Sequence, residues 1–187
     1  RQLDQMLEDR PDMNEAVPQS HPVRRWLADG FAGERTGLRV HWCASVASNG
    51  WAAQSFKSRA PYPAIICVSA GTEVTALDKW AAVVYAMLDH EVDWDSVIAE
   101  AMKERLDYDG YAEKCTRVKF AVLQRTQEFL LEQPFPKSSH GRDQWYNWIT
   151  TELGSYEEYK SASNCPKGMS YQEVCDNYRR RWIVPSK

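Results

Sequence analysis

Two adjacent side chains with catalytic chemistry, His90 and Glu91, stand near the end of an apolar run, in the stretch YAMLDHEVDW at 85–94. An imidazole can bind a metal ion or carry a proton, and a carboxylate can act as a general acid or base. His90 and Glu91 are therefore the candidate catalytic residues. What they can do depends on the helix that carries them.

That helix is predicted from about residue 76 to 92, and Thr75 opens it with capping-box spacing. A helical wheel places Glu91 at about 20° from Trp80, inside the apolar arc. His90 falls on the edge of the arc, whereas Asp89 falls on the opposite, polar face. The wheel therefore predicts that Glu91 points into the core and that Asp89 faces water.

A carboxylate on an apolar face needs a proton, a metal ion, hydrogen bonds or a cationic partner. Two interpretations of Glu91 follow. In one, it is a general acid or base in a cleft. In the other, it is a buried partner of an arginine such as Arg105 or Arg117.

The order of a strand, a turn, a second strand and a helix bearing His-Glu, over roughly residues 37–106, resembles the core of the zincin metallopeptidases. In that family an H-E-x-x-H helix supplies two histidine ligands to zinc, and its glutamate is the general base. His90 and Glu91 match the first two positions of the motif, but Trp94 replaces the second histidine, and indole cannot bind zinc. The resemblance implies a zincin-like architecture with a degenerate site. Zinc is not expected as a cofactor; His90 is the residue matching the motif that could ligate it, and Glu100 and Glu104 are candidate further ligands that no motif marks.

The remaining pattern predicts an α+β fold. Residues 37–43 alternate as a half-buried strand, residues 51–56 are expected to pair back on it through the SNGW turn, and Ala64 to Val68 form a mostly buried strand. Helices are predicted at about 95–106, 111–133, 145–153 and 171–182. A small N-terminal sheet packed on helices would precede a mostly helical C-terminal half. We expect one domain over 1–187, with an N-terminal arm or short helix at 1–20, an α/β portion at 21–106 and a helical portion at 107–187.

Five cysteines are present, and none forms a C-x-x-C pair, which argues against a structural zinc site. Cys67 and Cys115 lie in apolar patterns typical of small buried side chains. Cys165 and Cys175 flank a turn and would be bridged in an exported protein. The chain begins with Arg1, which fits a removed leader or a trimmed chain, so the compartment stays undetermined.

Eight tryptophans and nine tyrosines predict an aromatic-rich core, with a stacking surface as the alternative. Arg179, Arg180 and Arg181 precede Trp182 near the C-terminus. This run is either a solvated helix face or a binding surface, with Arg180 and Trp182 as the candidate binding residues. A net charge of −3 disfavours nucleic acid as a partner, which leaves a peptide or a protein. No segment approaches the roughly 20 apolar residues of a membrane span.

Three functions are compatible with these patterns. The first is a degenerate, non-catalytic zincin-like domain with a binding or structural role. The second is a hydrolase, metallopeptidase-like or glycosidase-like, that uses Glu91 as general acid or base. The third is an interaction module built on the aromatic and arginine-rich C-terminal part, around Trp145, Trp148 and Arg179–Trp182.

Overall fold

A computed structural model of the chain describes residues 2–8, 10–32, 38–44, 52–56, 64–136 and 143–182. It has the predicted α+β fold. The strands are β1 (Arg39–Cys43), β2 (Ala53–Phe56) and β3 (Ile65–Ser69). The helices are α1 (Gln2–Glu8), α2 (Pro11–Ala16), α3 (Pro22–Ala32), α4 (Ala76–His90), α5 (Trp94–Lys103), α6 (Tyr108–Glu132), α7 (Gln144–Asn147), α8 (Tyr156–Ser161) and α9 (Tyr171–Arg181), and a π-helical turn (Trp148–Glu152) continues α7.

The sheet has the order β1-β3-β2, with β1 parallel and β2 antiparallel to β3. The prediction that residues 51–56 pair back on the first strand was therefore wrong. The apolar run of β3 suits the centre of a sheet, where a strand is covered on both faces, so β3 separates the other two strands. The predicted SNGW turn, residues 48–51, lies outside the described residues.

Helix α4 forms the centre of the molecule. It contacts β2, β3, α2, α3, α6 and α7, and every side chain from Leu77 to Asp89 is buried. A helix enclosed on all sides has no solvent face, so its polar residues must find partners inside the protein. This enclosure decides which acidic residue of the His-Glu segment is buried.

The first 20 residues contain two short helices rather than a free arm. Leu3, Leu7 and Met13 are buried in the main core. Two indole N–H groups fasten the segment: Trp42 Nε1 donates to the carbonyl of Met6 at 3.1 Å, and Trp80 Nε1 donates to that of Met13 at 2.8 Å. The N-terminal helices are therefore part of the fold that positions α4.

The aromatic residues form the predicted core. Trp80, Trp145 and Trp148 are buried in the main cluster, and Trp94 stacks on Tyr178 in a second cluster between α5, α6 and α9. Trp145 and Trp148 were expected to take part in an interaction surface, and their burial shows that this expectation was wrong. No helix in the described part of the chain is long and apolar enough to cross a membrane.

One disulfide joins Cys43 of β1 to Cys67 of β3. The register pairs His41 with Cys67, so the two cysteines share one face of adjacent strands, and their Cα atoms are 5.4 Å apart, within disulfide range. The prediction of a small buried side chain is confirmed for Cys115, but Cys67 is half-buried and bonded to Cys43. Cys165 and Cys175 are free thiols, because Cys165 packs on the main core and Cys175 lies in the second cluster.

Candidate functional site

Glu91 lies at the surface, not in the core. Helix α4 ends at His90, and Glu91 is its C-cap. The Glu91 side chain is 46% exposed, and its Oε2 accepts from Nη2 of Arg125, itself half exposed, at 2.9 Å. Glu91 does pair with an arginine, although the partner is Arg125 and not Arg105 or Arg117. The prediction of a core-facing Glu91 was wrong.

The helical wheel failed because the helix stops before residue 94. The Val92 N–H donates to the carbonyl of Asp89 and closes a turn. Asp93 then caps α5 by accepting from the backbone N–H of Ser96 at 3.1 Å. Residues 91–93 therefore belong to a link between two helices, and a wheel drawn through them has no meaning.

The buried carboxylate of this segment is Asp89, which the wheel had assigned to the solvent face. Its side chain is 7% exposed, and Oδ1 lies 2.7 Å from Nζ of Lys119. Its other oxygen, Oδ2, accepts from the Ser55 hydroxyl at 3.0 Å. Within the described residues Oδ1 has no hydrogen bond of standard geometry, so the charge of Lys119 is what compensates it.

The Lys119 ammonium is also enclosed by aromatic rings. Its Nζ lies 5.4 Å from the ring centres of both Tyr85 and Trp94. Desolvation lowers the pKa of Lys119, and the charge of Asp89 opposes this change. Asp89, Lys119 and Ser55 come from α4, α6 and β2, so the ion pair joins three elements of the core. This cluster neutralises itself and presents no free acid to a ligand.

Asp78 and Asp143 form a second acidic cluster, at the start of α7. Asp78 accepts from the backbone N–H of Tyr146 at 2.9 Å, and the Thr75 hydroxyl donates to Asp143 at 2.6 Å. Burial raises the pKa of Asp78 to about 6, against the effect of the backbone N–H groups that it accepts from. Asp78 thus caps the N-terminus of α7 from another helix, whereas the Asp143 side chain is bound by Thr75, and both roles are structural.

The described residues contain no group of three or more His, Cys, Asp or Glu side chains that could hold a metal ion. His90 is the half-buried last residue of α4. The catalytic roles of His90 and Glu91, and any role of His90 as a zinc ligand, stay predictions.

A cationic site that sequence reasoning missed lies at the turn between β3 and α4, residues 69–75. Lys79 is 1% exposed, and its Nζ donates to the carbonyl of Gly71 at 2.5 Å. Arg10 Nη2 donates to the neighbouring carbonyl of Ala70 at 2.9 Å. The Trp42 ring is 4.9 Å from the Arg10 guanidinium and 6.0 Å from the Lys79 ammonium. We call Arg10, Trp42, Ser69 and Lys79 the carboxyl-edge site.

The electrostatics of Lys79 differ from those of Lys119. No carboxylate of the described residues lies within 4 Å of the Lys79 ammonium, whereas Lys119 has Asp89. Desolvation lowers the pKa of Lys79. The more distant charges of Asp12 and Glu73 oppose this change, and that of Arg10 adds to it. Lys79 is thus a buried cation held by a carbonyl and a ring.

The position of this site follows from the topology. Strands β1 and β3 are parallel, so their carboxyl ends meet at the edge from which the turn leads into α4. The crevice at the carboxyl ends of parallel strands is where open α/β sheets hold their ligands. One signal for Lys79 was present in the sequence: a cation in the first turns of a helix opposes the helix dipole.

The C-terminal arginines have different environments. Arg179 is bound to Asp109 and Asp176, each at 2.8 Å. Arg180 and Arg181 are exposed, and within the described residues neither has a carboxylate within 4 Å. Half-buried Trp182 lies edge-on to Tyr108, which is 45% exposed. Tyr108, Arg180, Arg181 and Trp182 are the C-terminal surface.

Comparison of the chain with protein-family models, with characterised proteins and with solved structures gave no match.

Proposed function

We propose that this protein is a non-catalytic binding domain that holds an anionic ligand at the carboxyl-edge site. The observation that carries the proposal is the buried Lys79 ammonium, which lies beside Arg10 and has no carboxylate partner among the described residues. A buried charge is stable only when it is paired or well hydrogen-bonded. A ligand anion would supply a countercharge closer to Lys79 than Asp12 and Glu73, which act on it from a greater distance.

The alternatives are less well supported by the geometry. Glu91 is exposed and bound to Arg125, so it lacks the desolvated environment that tunes a carboxylate for proton transfer. Asp89 is buried, but Lys119 already compensates its charge. The degenerate zincin-like architecture stays a prediction, and the binding role does not depend on it.

The test is a nuclear magnetic resonance titration of the ¹⁵N-labelled protein with sodium acetate and, separately, inorganic phosphate. We use up to about 50 mM anion, because a Kd of 1 mM corresponds to only about 4 kcal/mol. Amide shifts confined to residues 69–75 in the wild type, and lost in Lys79→Met, are the expected result. Exposed Lys103 provides the matched control, Lys103→Met, which should bind like the wild type. Equal shifts in Lys79→Met and the wild type would refute the proposal.

A second candidate function, an interaction module, is favoured by the exposed Arg180 and Arg181 beside the Tyr108–Trp182 pair. Arginine and aromatic residues are enriched where proteins bind one another. Charge complementarity favours an acidic peptide segment as the partner. Selection from a displayed library of random peptides should enrich acidic sequences that bind the wild type and lose affinity for Arg180→Ala/Trp182→Ala.

The control for that selection is Phe56→Ala/Arg117→Ala, which removes an exposed ring and an exposed arginine elsewhere. Peptides that bind the Arg180→Ala/Trp182→Ala variant as tightly as the wild type would remove the C-terminal surface from consideration. Selected sequences without acidic residues would contradict the charge argument.

A further inference from the structure

The Glu73 carboxylate lies in the carboxyl-edge site, against the backbone of Gly71. A Cβ atom built on Gly71 would fall 2.1 Å and 2.2 Å from the two Glu73 carboxylate oxygens. The carboxylate therefore occupies the space that a side chain at position 71 would need. The absence of a side chain at Gly71 permits this close approach of the flexible Glu73 side chain, and Gly71 is not among the residues with positive φ.

A buried hydroxyl links Glu73 to the turn. Ser69 is fully buried, and its Oγ accepts from the backbone N–H of Gly71 at 3.2 Å. The Ser69 hydroxyl proton is then directed to Oε1 of Glu73, at 3.4 Å. Because the Ser69 oxygen already accepts from Gly71, its hydroxyl proton is free to donate. Ser69 therefore favours a hydrogen-bond acceptor at the position of the Glu73 carboxylate.

From this geometry we infer that Glu73 stands in for the anionic group of the ligand, and that the ligand is a carboxylate that displaces it. The inference rests on the proposed function of the carboxyl-edge site. Glu73 is exposed and is held within the described residues by one long hydrogen bond, so it can leave at little cost. The position it vacates has the Ser69 hydroxyl as a donor, and Lys79 and Arg10 bind the adjacent carbonyls of Gly71 and Ala70.

Charge balance favours a monoanion over phosphate. Arg10 and Lys79 contribute two positive charges, and Asp12 and Glu73 act on Lys79 with two negative ones. A carboxylate that replaces Glu73 preserves this balance, whereas a dianion leaves the four charges with a net excess of one negative charge. The planar carboxylate group is also the group that the turn already accommodates.

The experiment measures acetate affinity from amide shifts of residues 69–75 in the wild type, Glu73→Gln and Gly71→Ala. If Glu73 covers the site in about nine molecules of ten, the wild-type apparent Kd is raised about tenfold by this competition. We expect Glu73→Gln to bind acetate about tenfold more tightly than the wild type. Gly71→Ala should weaken acetate binding below that of the wild type, because its methyl group occupies the position that the carboxylate of Glu73 or of the ligand needs. The exposed acid Glu128 provides the control, and Glu128→Gln should leave affinity unchanged.

The possible results separate the two proposals. If acetate binds the wild type and Glu73→Gln equally and Lys79→Met abolishes binding, the stand-in role of Glu73 is overturned and the anion site stands. If neither the wild type nor Glu73→Gln binds any anion, both proposals fall. If phosphate binds Glu73→Gln more tightly than acetate does, the carboxylate assignment is overturned. Far-ultraviolet circular dichroism checks that each variant folds, and Arg10→Ala replaces Lys79→Met should the latter not fold.

Discussion

Removal of the charge on Asp89 should be among the most damaging single changes in the helix that carries the His-Glu pair. Asp89→Asn keeps the shape and the hydrogen bond from Ser55 but leaves the Lys119 ammonium without its counterion between two aromatic rings. Glu91→Gln, two residues away, is the matched control, because it removes a carboxylate from an ion pair whose two side chains are about half exposed.

The magnitudes follow from the two environments. Breaking a buried pair by removing one partner costs about 3–5 kcal/mol, because the remaining charge is left uncompensated. The Lys119 side chain is 20% exposed, so we expect the lower end, about 3 kcal/mol. An exposed pair such as Glu91–Arg125 contributes about 0–1 kcal/mol. For a chain of this size, 3 kcal/mol lowers Tm by about 6–12 °C.

The assay is urea denaturation followed by circular dichroism at pH 7. The midpoint should fall strongly in Asp89→Asn at unchanged slope, and should barely move in Glu91→Gln. The double variant Asp89→Asn/Lys119→Met removes both charges, and we expect it to recover most of the lost stability, because an apolar replacement of a buried pair is often neutral or stabilising.

Two results would refute this reasoning. A loss below about 1 kcal/mol in Asp89→Asn would mean that solvent reaches Lys119 and that the pair is not buried. A loss in Glu91→Gln that equals or exceeds that of Asp89→Asn would restore Glu91 as the important carboxylate of the segment.

Three further predictions concern the local stability of the fold. Because the pKa of Asp78 is raised from 3.8 to about 6, the native state binds more protons between these values, and stability should fall by about 3 kcal/mol as pH rises through that window. In urea denaturation at pH 4 and pH 7, Asp78→Asn should lack this fall in stability. If the variant loses as much stability between the two pH values as the wild type does, the prediction is contradicted. Reduction of the Cys43–Cys67 disulfide, whose cysteines are 24 residues apart, should lower the free energy of unfolding by about 3 kcal/mol. Dithiothreitol should lower the urea midpoint of the wild type, and Cys43→Ala/Cys67→Ala should show the same low midpoint without dithiothreitol. Ser170 and Glu173 form a capping box at α9, so Ser170→Ala should lower the free energy of unfolding by about 1 kcal/mol in the same assay. A loss below about 0.3 kcal/mol would argue against the cap.

Features governed by neighbours in the sequence were predictable. Thr75, Ser155 and Ser170 cap the helices that follow them. The long helix ends at Glu132, within one residue of the predicted end at 133 and just before Pro134. Caps, turns and proline act within about four residues, so the printed order of side chains contains all the information they need. The α+β class follows from the same local patterns.

The pairing of distant segments was not predictable in this way. Strand β3 lies at the centre of the sheet, and Cys43 of β1 is bonded to Cys67 of β3. Both facts depend on how the strands pair, and the amino-acid pattern within each strand does not specify its partner. A helical wheel also assumes one apolar face and one solvent-exposed face. Helix α4 has no solvent-exposed face, because six other elements cover it.

The sequence by itself determined that His90 and Glu91 stand at the end of an apolar helix and that Trp94 takes the place of a second histidine. Only the tertiary structure decided that Asp89 is the buried acid and Glu91 the exposed one, and that Lys79 lies without a carboxylate beside Arg10. The physical reason is that burial and ion pairing depend on which elements pack around a residue. Arg10 is 69 residues from Lys79 in the chain, and Lys119 is 30 residues from Asp89, so neither neighbour is visible in local sequence.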